Sequence, residues 1–352
     1  MPLQSSGQIT ARDIANEFGY SRGSTDGIRI GDYRGQGFTN PNNTTVRIPT
    51  SENVTNDLNG SVRFSDFYGG RLTLVVNYFS LAAEYKPNDA YTRFDGQAEK
   101  TVVSGFKKIT SDNTAGKRVV ILVNEDIGSD KIANNSCALR TGTGWNADTV
   151  LQILVGPDGE ILGAGGDGGA GRSANSGLGG GAGSSGLGVQ FEGVGGTGVV
   201  IQSGGKISGG AGGGGAGGGA IVTQERFWGE GSTRRATGGS GGGGAGLPAG
   251  TSGANRVNGG PGLGGSEQGS NPGAEGGTGG NGGGISGTTV NNGSGGTSGG
   301  TSGSEQENPA AYGGGGGGVA GAAIRRTVTT VNVTNLGPPS QLAGSTVETG
   351  VT

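Results

Sequence analysis

Histidine does not occur in this chain, and cysteine occurs once, at Cys137. Without histidine there is no Ser-His-Asp or Cys-His catalytic set, and the commonest transition-metal ligand is missing. A single cysteine excludes an intrachain disulfide and a Cys-x-x-Cys metal site, and Cys137 reads as a small buried apolar residue rather than a nucleophile. Hydrophobic residues make up only 30% of the chain, below the globular average, and they concentrate before position 156, so one ordinary core is expected there. There is no run of 18 apolar residues and no charged, apolar, cleavable signal pattern at the N-terminus, so the expectation is synthesis in a cytoplasm and no membrane span. The formal net charge is −3, without a basic patch or a block of like charge, which argues against a nucleic-acid partner.

Glycine is abundant. Of the 88 glycines, 69 lie in 156–321. The runs at 163–171, 209–219 and 313–318 show no apolar period. Glycine costs roughly 1 kcal/mol per residue in a helix relative to alanine, and it gives a strand no side chain to pack. Two states remain: a flexible linker, or extended polyproline-II-type rods. Such a rod has three residues per turn, a rise of about 3.1 Å and no internal hydrogen bonds, so every N–H and C=O points outward and needs a partner. Glycine neighbours lack the Cβ that would hold two backbones apart, so rods can bond laterally. The apolar islands Ile161-Leu162, Val199-Val-Ile201, Ala220-Ile-Val222, Phe227-Trp228 and Val319 favour the ordered state. So do the turn formers at Leu247-Pro248, Asn271-Pro272, Asn291-Asn-Gly293 and Asn308-Pro309.

The remainder of the chain is more conventional. Residues 1–70 repeat a short motif around Asp13, Asp32 and Asp66, in which the aspartate suits a cap or tight turn and the closing glycine a helix end. This segment lacks a core of its own and reads as an attachment or assembly arm. Residues 71–155 read as a small all-β domain, a sandwich or a β-solenoid cap, with its clearest strands at 72–79, 118–123 and 150–155 and Trp145 at the core edge. The stretches 150–163 and 199–209 share one sense, apolar run, turn, isoleucine, then glycine, and read as hairpins that hand the chain into the rods. Residues 322–352 hold a last β-segment, which either seals the glycine block or pairs with the 71–155 domain. The fold class is therefore mainly β plus irregular: N-terminal arm, all-β domain, glycine-rich sandwich at 156–321 and C-terminal β-segment.

Several motifs carry a resemblance. Cys137-Ala-Leu-Arg-Thr-Gly, Val150-Leu-Gln-Ile-Leu-Val, Gly156-Pro-Asp-Gly-Glu-Ile-Leu-Gly163 and Gly165-Gly-Asp-Gly-Gly-Ala-Gly171 resemble the glycine-rich receptor-binding region of tailed-phage tail-tip and tail-fibre proteins. Gly7-Gln-Ile9 with Asp13-Ile14, and Ser65-Asp-Phe-Tyr-Gly69, resemble the start of many phage virion proteins. The T-even-type tail-fibre adhesins are similar in their glycine motifs separated by variable loops, but do not share residues 1–155. The resemblance implies a layered polyglycine-II sandwich whose end loops contact the bacterial surface. It also implies a homo-oligomer, usually a trimer, seated among other virion tail proteins. Mycobacterial glycine-rich surface proteins and glycine-rich antifreeze proteins share the repeat composition; the former should carry a helical N-terminal domain, and the latter would lack the β-domain.

On this reading the insertions between rods carry function. The richest, 222–235, supplies Arg226, Phe227, Trp228, Arg234 and Arg235, all interface-favoured types; Phe227 and Trp228 read equally well as caps on the exposed edge of the block. Further candidates are 249–258, 266–275 and 302–312, the last with Tyr312. The expected partner is a host cell-surface polysaccharide or outer-membrane protein, with no cofactor and no metal. A purely structural fibre or adaptor protein is the alternative. A polysaccharide-degrading tailspike needs only two carboxylates, and Asp148, Asp158, Glu160 and Asp167 are available, but no spacing selects a pair. Hydrogen exchange separates rods from linker: the amides of 209–219 are expected to be protected, and random-coil exchange rates there would rule out the rods.

Overall fold

The computed structural model describes residues 4, 6–18, 37–39, 45–47, 64–67, 71–77, 92–93, 102–104, 107–109, 116–129, 136–224, 232–251, 254, 258–268, 273–302 and 307–345. The fold is mainly β, with a single α-helix among these residues. The second motif copy, around Asp32, lies outside them.

Three parallel ladders form a β-solenoid. One face stacks Arg71–Asn77, Arg118–Val123, Val150–Val155, Thr197–Ile201 and Val331–Asn335. A second stacks Asp126–Ile127, Glu160–Leu162, Lys206–Ser208 and Leu342–Ala343. A third stacks Thr92–Arg93, Cys137–Arg140, Ser185–Val189 and Ile324–Arg326. Alternation along each strand sends one column of side chains inward, and Ile121, Ile153 and Val199 lie in direct register, all fully buried. Leu139, Leu187 and Ile324 fill the third face in the same way. Trp145 joins this core, its indole N–H donating to Thr141 O at 2.8 Å.

This topology corrects the hairpin reading of 150–163 and 199–209. The turn is present, with Gly159 N–H bonded to Gly156 O at 3.0 Å. The strands on either side of it lie on different faces, however, and each pairs in parallel with its equivalent in the next coil, Ile153 with Val199 and Ile161 with Ile207. Sequential strands that alternate with turns look alike whether they fold back or wind on. The solenoid also draws strands from both sides of positions 155 and 321, because composition marks the rods and not the sheets into which they are inserted.

The helix Ala11–Phe18 closes the first end of the solenoid. Thr10 is its N-cap: the Asp13 carboxylate accepts the Thr10 N–H at 2.8 Å and hydroxyl at 2.7 Å, while Thr10 Oγ1 accepts the Asp13 N–H at 3.2 Å. Asp13 thus completes a reciprocal capping box, and these bonds from Thr10 hold its carboxyl below the usual carboxylate range. Ile9, Ile14, Ala15 and Phe67 are buried in the same core as the solenoid strands. Glu17 and Lys117 form a buried ion pair that ties the helix to the second coil.

Between the second and third faces the chain leaves the solenoid and makes glycine rods. Rods 1 (163–171) and 2 (175–184) separate Glu160–Leu162 from Ser185–Val189. Rods 3 (209–219), 4 (237–246), 5 (259–266), 6 (276–284), 7 (291–299) and 8 (312–321) separate Lys206–Ser208 from Ile324–Arg326. Rod 3 is buried throughout. Its N–H groups donate in turn to three different neighbours: Gly210, Gly213, Ala216 and Gly219 to rod 2, Ala211, Gly214 and Gly217 to rod 4, and Gly212, Gly215 and Gly218 to rod 7, at 2.7–3.2 Å. Its carbonyls accept from rods 1, 6 and 8 with the same three-residue period. Those six neighbours also bond to one another around the ring, and rod 5 lies outside, bonded to rods 4 and 6. Rod directions alternate along the chain.

At the perimeter, side-chain oxygens replace missing neighbours. Thr278 N–H meets Thr297 Oγ1, Asn281 N–H meets Ser294 Oγ, and Thr237 N–H meets Ser266 Oγ, each at 2.7 Å. A Cβ added at Gly214 would sit 2.6 Å from the Gly280 carbonyl carbon, whereas one at Gly316 meets nothing within 4 Å. Gly214→Val is therefore expected to cost at least about 3 kcal/mol, since it overpacks the lattice and strands buried backbone groups. Gly316→Ala is expected to be neutral or to stabilise by about 0.5 kcal/mol. Equal melting temperatures for the two variants would contradict the lattice.

Candidate functional site

Because the rods alternate in direction, every second connection falls at the same end. The described residues of the connections at 172–174, 220–236, 267–275 and 300–311 lie at the end away from the solenoid. The first rod leaves the solenoid from Glu160–Leu162, the stretch 185–208 is itself solenoid, and the described residues of the connections at 247–258 and 285–290 lie against it, as the bonds Ser129 N–H to Leu247 O at 2.9 Å and Gly344 N–H to Thr288 O at 2.9 Å show. The described residues of the 249–258 insertion, a sequence candidate, therefore belong to the solenoid end, the length of a rod away from the described residues of the other candidates.

The free end is built by two small antiparallel sheets. Ala220–Gln224 pairs with Ser232–Ala236 on one side and with Glu307–Ala311 on the other. Gly273–Glu275 pairs with Glu267–Gln268 and with Gly300–Ser302. Ala220, Val222, Ala236 and Ala274 form a buried cluster beneath them. Ser173 bridges to Thr237, so the first connection extends the first sheet.

The sequence candidates fall here unevenly. Arg234 stands opposite Val222 and is half-buried; Arg235 stands opposite Ile221 and is exposed. Tyr312 opens rod 8: its N–H donates to Gly219 O and its carbonyl accepts from Gly299 N–H, both at 3.0 Å, which pins its backbone while the residue stays half-exposed. Arg226, Phe227 and Trp228 lie outside the described residues. Sequence reading missed the contribution of 172–174, whose Arg172 accepts the Gly238 N–H through its carbonyl at 3.2 Å. The alternation of rod direction is the signal that would have grouped it with 220–236.

Two of the four acidic candidates, Asp158 and Glu160, share a cavity, and Asp148 and Asp167 are not part of it. Asp148 is exposed in the turn before Val150, and its N–H bonds to Asn146 Oδ1 at 3.1 Å. Asp167 accepts the Thr251 N–H at 2.9 Å. Asp158 and Glu160 line an open cavity of about 310 Å³ on the second solenoid face, with Asp126, Pro157, Leu162, Gly204 and Lys206. Among the described residues no group of three metal-ligating side chains comes together, and no helix is long and apolar enough to cross a membrane.

Cys137 is fully buried, and that burial pushes its thiol up to about 12, against the opposing pull of Arg140 and Arg325. The thiolate fraction is therefore negligible at pH 7–9, and a thiol is nucleophilic only as the thiolate. A disulfide reagent is expected to label the native protein at pH 8 at least a hundredfold more slowly than the denatured protein; fast native labelling would place the thiol in solvent.

Comparison of the chain with protein-family models, curated proteins and solved structures finds no match.

Proposed function

We propose that this chain is a tail-fibre or tail-tip protein of a tailed phage, and that it binds a receptor on the host bacterial surface. On this reading the glycine block is a polyglycine-II sandwich acting as a receptor-binding domain. Residues 1–70 attach it to other virion tail proteins, the solenoid carries it, and the assembly is a homo-oligomer made in the host cytoplasm. The protein is a binding and structural component, not an enzyme, and needs no cofactor.

The observation that supports this reading is the segregation of connections. A rigid lattice presents four of them together at the end furthest from the solenoid. A binding surface on a pre-organised base loses less conformational entropy when a ligand docks. The rods offer a ligand little, because their backbone groups already bond to each other. Arg235 and Tyr312 contribute a guanidinium fork and an aromatic ring beside the sequence between Gln224 and Ser232, which holds Arg226, Phe227 and Trp228.

The test is adsorption of purified protein to host cells. Trp228→Ala combined with Arg226→Ala is expected to weaken adsorption at least about tenfold, equivalent to roughly 1.4 kcal/mol, with the melting temperature nearly constant. If adsorption falls only together with the melting temperature, the aromatic pair caps the block and does not touch the receptor. Wild-type protein that adsorbs to no host would leave a structural adaptor, and release of sugars from host polysaccharide would indicate a tailspike.

A further inference from the structure

The two ends of the solenoid are finished differently. At the first end, the helix Ala11–Phe18 sits on the core, and the antiparallel pair Gly37–Thr39 and Thr45–Arg47 continues the sheet beyond Arg71–Asn77. At the other end the first face stops at Val331–Asn335, which pairs with Thr197–Ile201 and with no further strand among the described residues. We propose that this edge is an interface between two copies of the chain, joined antiparallel about a two-fold axis at Val333.

Register defines what the edge offers. Leu336 N–H donates to Ile201 O at 2.8 Å, so the N–H and C=O of the even positions, Asn332 and Thr334, point toward Thr197–Ile201. The same groups of Val331, Val333 and Asn335 point away from the sheet. In an antiparallel pair centred on Val333, Val333 meets its own symmetry mate and Val331 meets Asn335. These are the positions that exchange both N–H···O bonds in an antiparallel ladder, so each outward donor meets an outward acceptor. The contact is isologous and closes on itself.

The side chains point to the same partner. Val333 continues the inward column of Ile121, Ile153 and Val199, yet it is 37% exposed where they are fully buried. Leu336 beside it is 62% exposed. Free edges in natural sheets are blunted by charge, proline or a bulge; the strand Val-Asn-Val-Thr-Asn carries none of these. Ser345, the last described residue, lies on the third face, where its carbonyl accepts the N–H groups of Ala323 and Ile324 at 3.0 and 3.3 Å. A second copy is the partner whose edge has the matching register.

Light scattering on the full chain, over a concentration series to about 100 µM, tests this. The expected result is a dimer that dissociates on dilution. Val333→Pro removes only an outward donor and spares the bonds to Thr197–Ile201, so it should give a monomer that keeps its melting temperature. If that variant fails to fold, Val333→Lys, which sets two like charges face to face, should give a folded monomer. A wild-type monomer at every concentration, a trimer, or a dimer that persists in a folded Val333 variant would overturn the proposal.

Discussion

The lateral hydrogen bond between two backbones with no Cβ between them is the constraint on which the glycine block depends. One such bond nets about 0.5–1.5 kcal/mol, and fixing a residue costs about 1–2 kcal/mol, more for glycine. The two are close enough that a free rod would not order. Order comes from closure. Rod 3 is surrounded on all six sides, so none of its bonds competes with water, and each set of rods, 1–2 and 3–8, begins and ends on a strand already fixed in the solenoid. The small apolar content therefore goes where it is most effective, into three columns of Ile, Leu and Val inside the solenoid, which hold the rod ends in place.

The perimeter follows from the same constraint. A three-residue period turns one position per triplet outward, and that position can carry a side chain at no steric cost. In rod 6 the sequence reads Gly-Gly-Thr-Gly-Gly-Asn, with Thr278 and Asn281 as the outward residues. Their hydroxyl and amide groups bond across to rods 5 and 7, so the exposed ridge adds to the lattice. Rod 3, which has no outward position, admits only Ala211 and Ala216 besides glycine.

Much of this was legible in the sequence, for identifiable reasons. Glycine runs without an apolar period left few states open, and the apolar island Ile161-Leu162 stands where the first rod leaves its strand. The strands 118–123 and 150–155 were readable because each is a near-continuous apolar run with β-branched residues, whose inward positions fill the solenoid core. The winding of the chain was not readable: a strand, a turn and a strand at 150–162 have the same local chemistry in a hairpin and in a solenoid corner, and only the pairing of Ile153 with Val199 tells them apart. The candidate surface was partly legible. Arg234, Arg235 and Tyr312 stand at the free end, but the described residues of 249–258 do not, because composition shows that a loop exists and not which end of the rods it joins.

The rods enter and leave at the same corner of the solenoid, two of them in one coil and six in the next. A chain that departs from a corner and must return to it crosses the block an even number of times. In descent, then, such a protein can enlarge its block only by whole out-and-back excursions, and each one adds two rods to the lattice and one new connection at the far end. Scaffold and end surface grow by the same genetic event, and a duplication of roughly 22 to 38 codons, the lengths of the excursions 163–184 and 209–246, is a complete heritable unit of change.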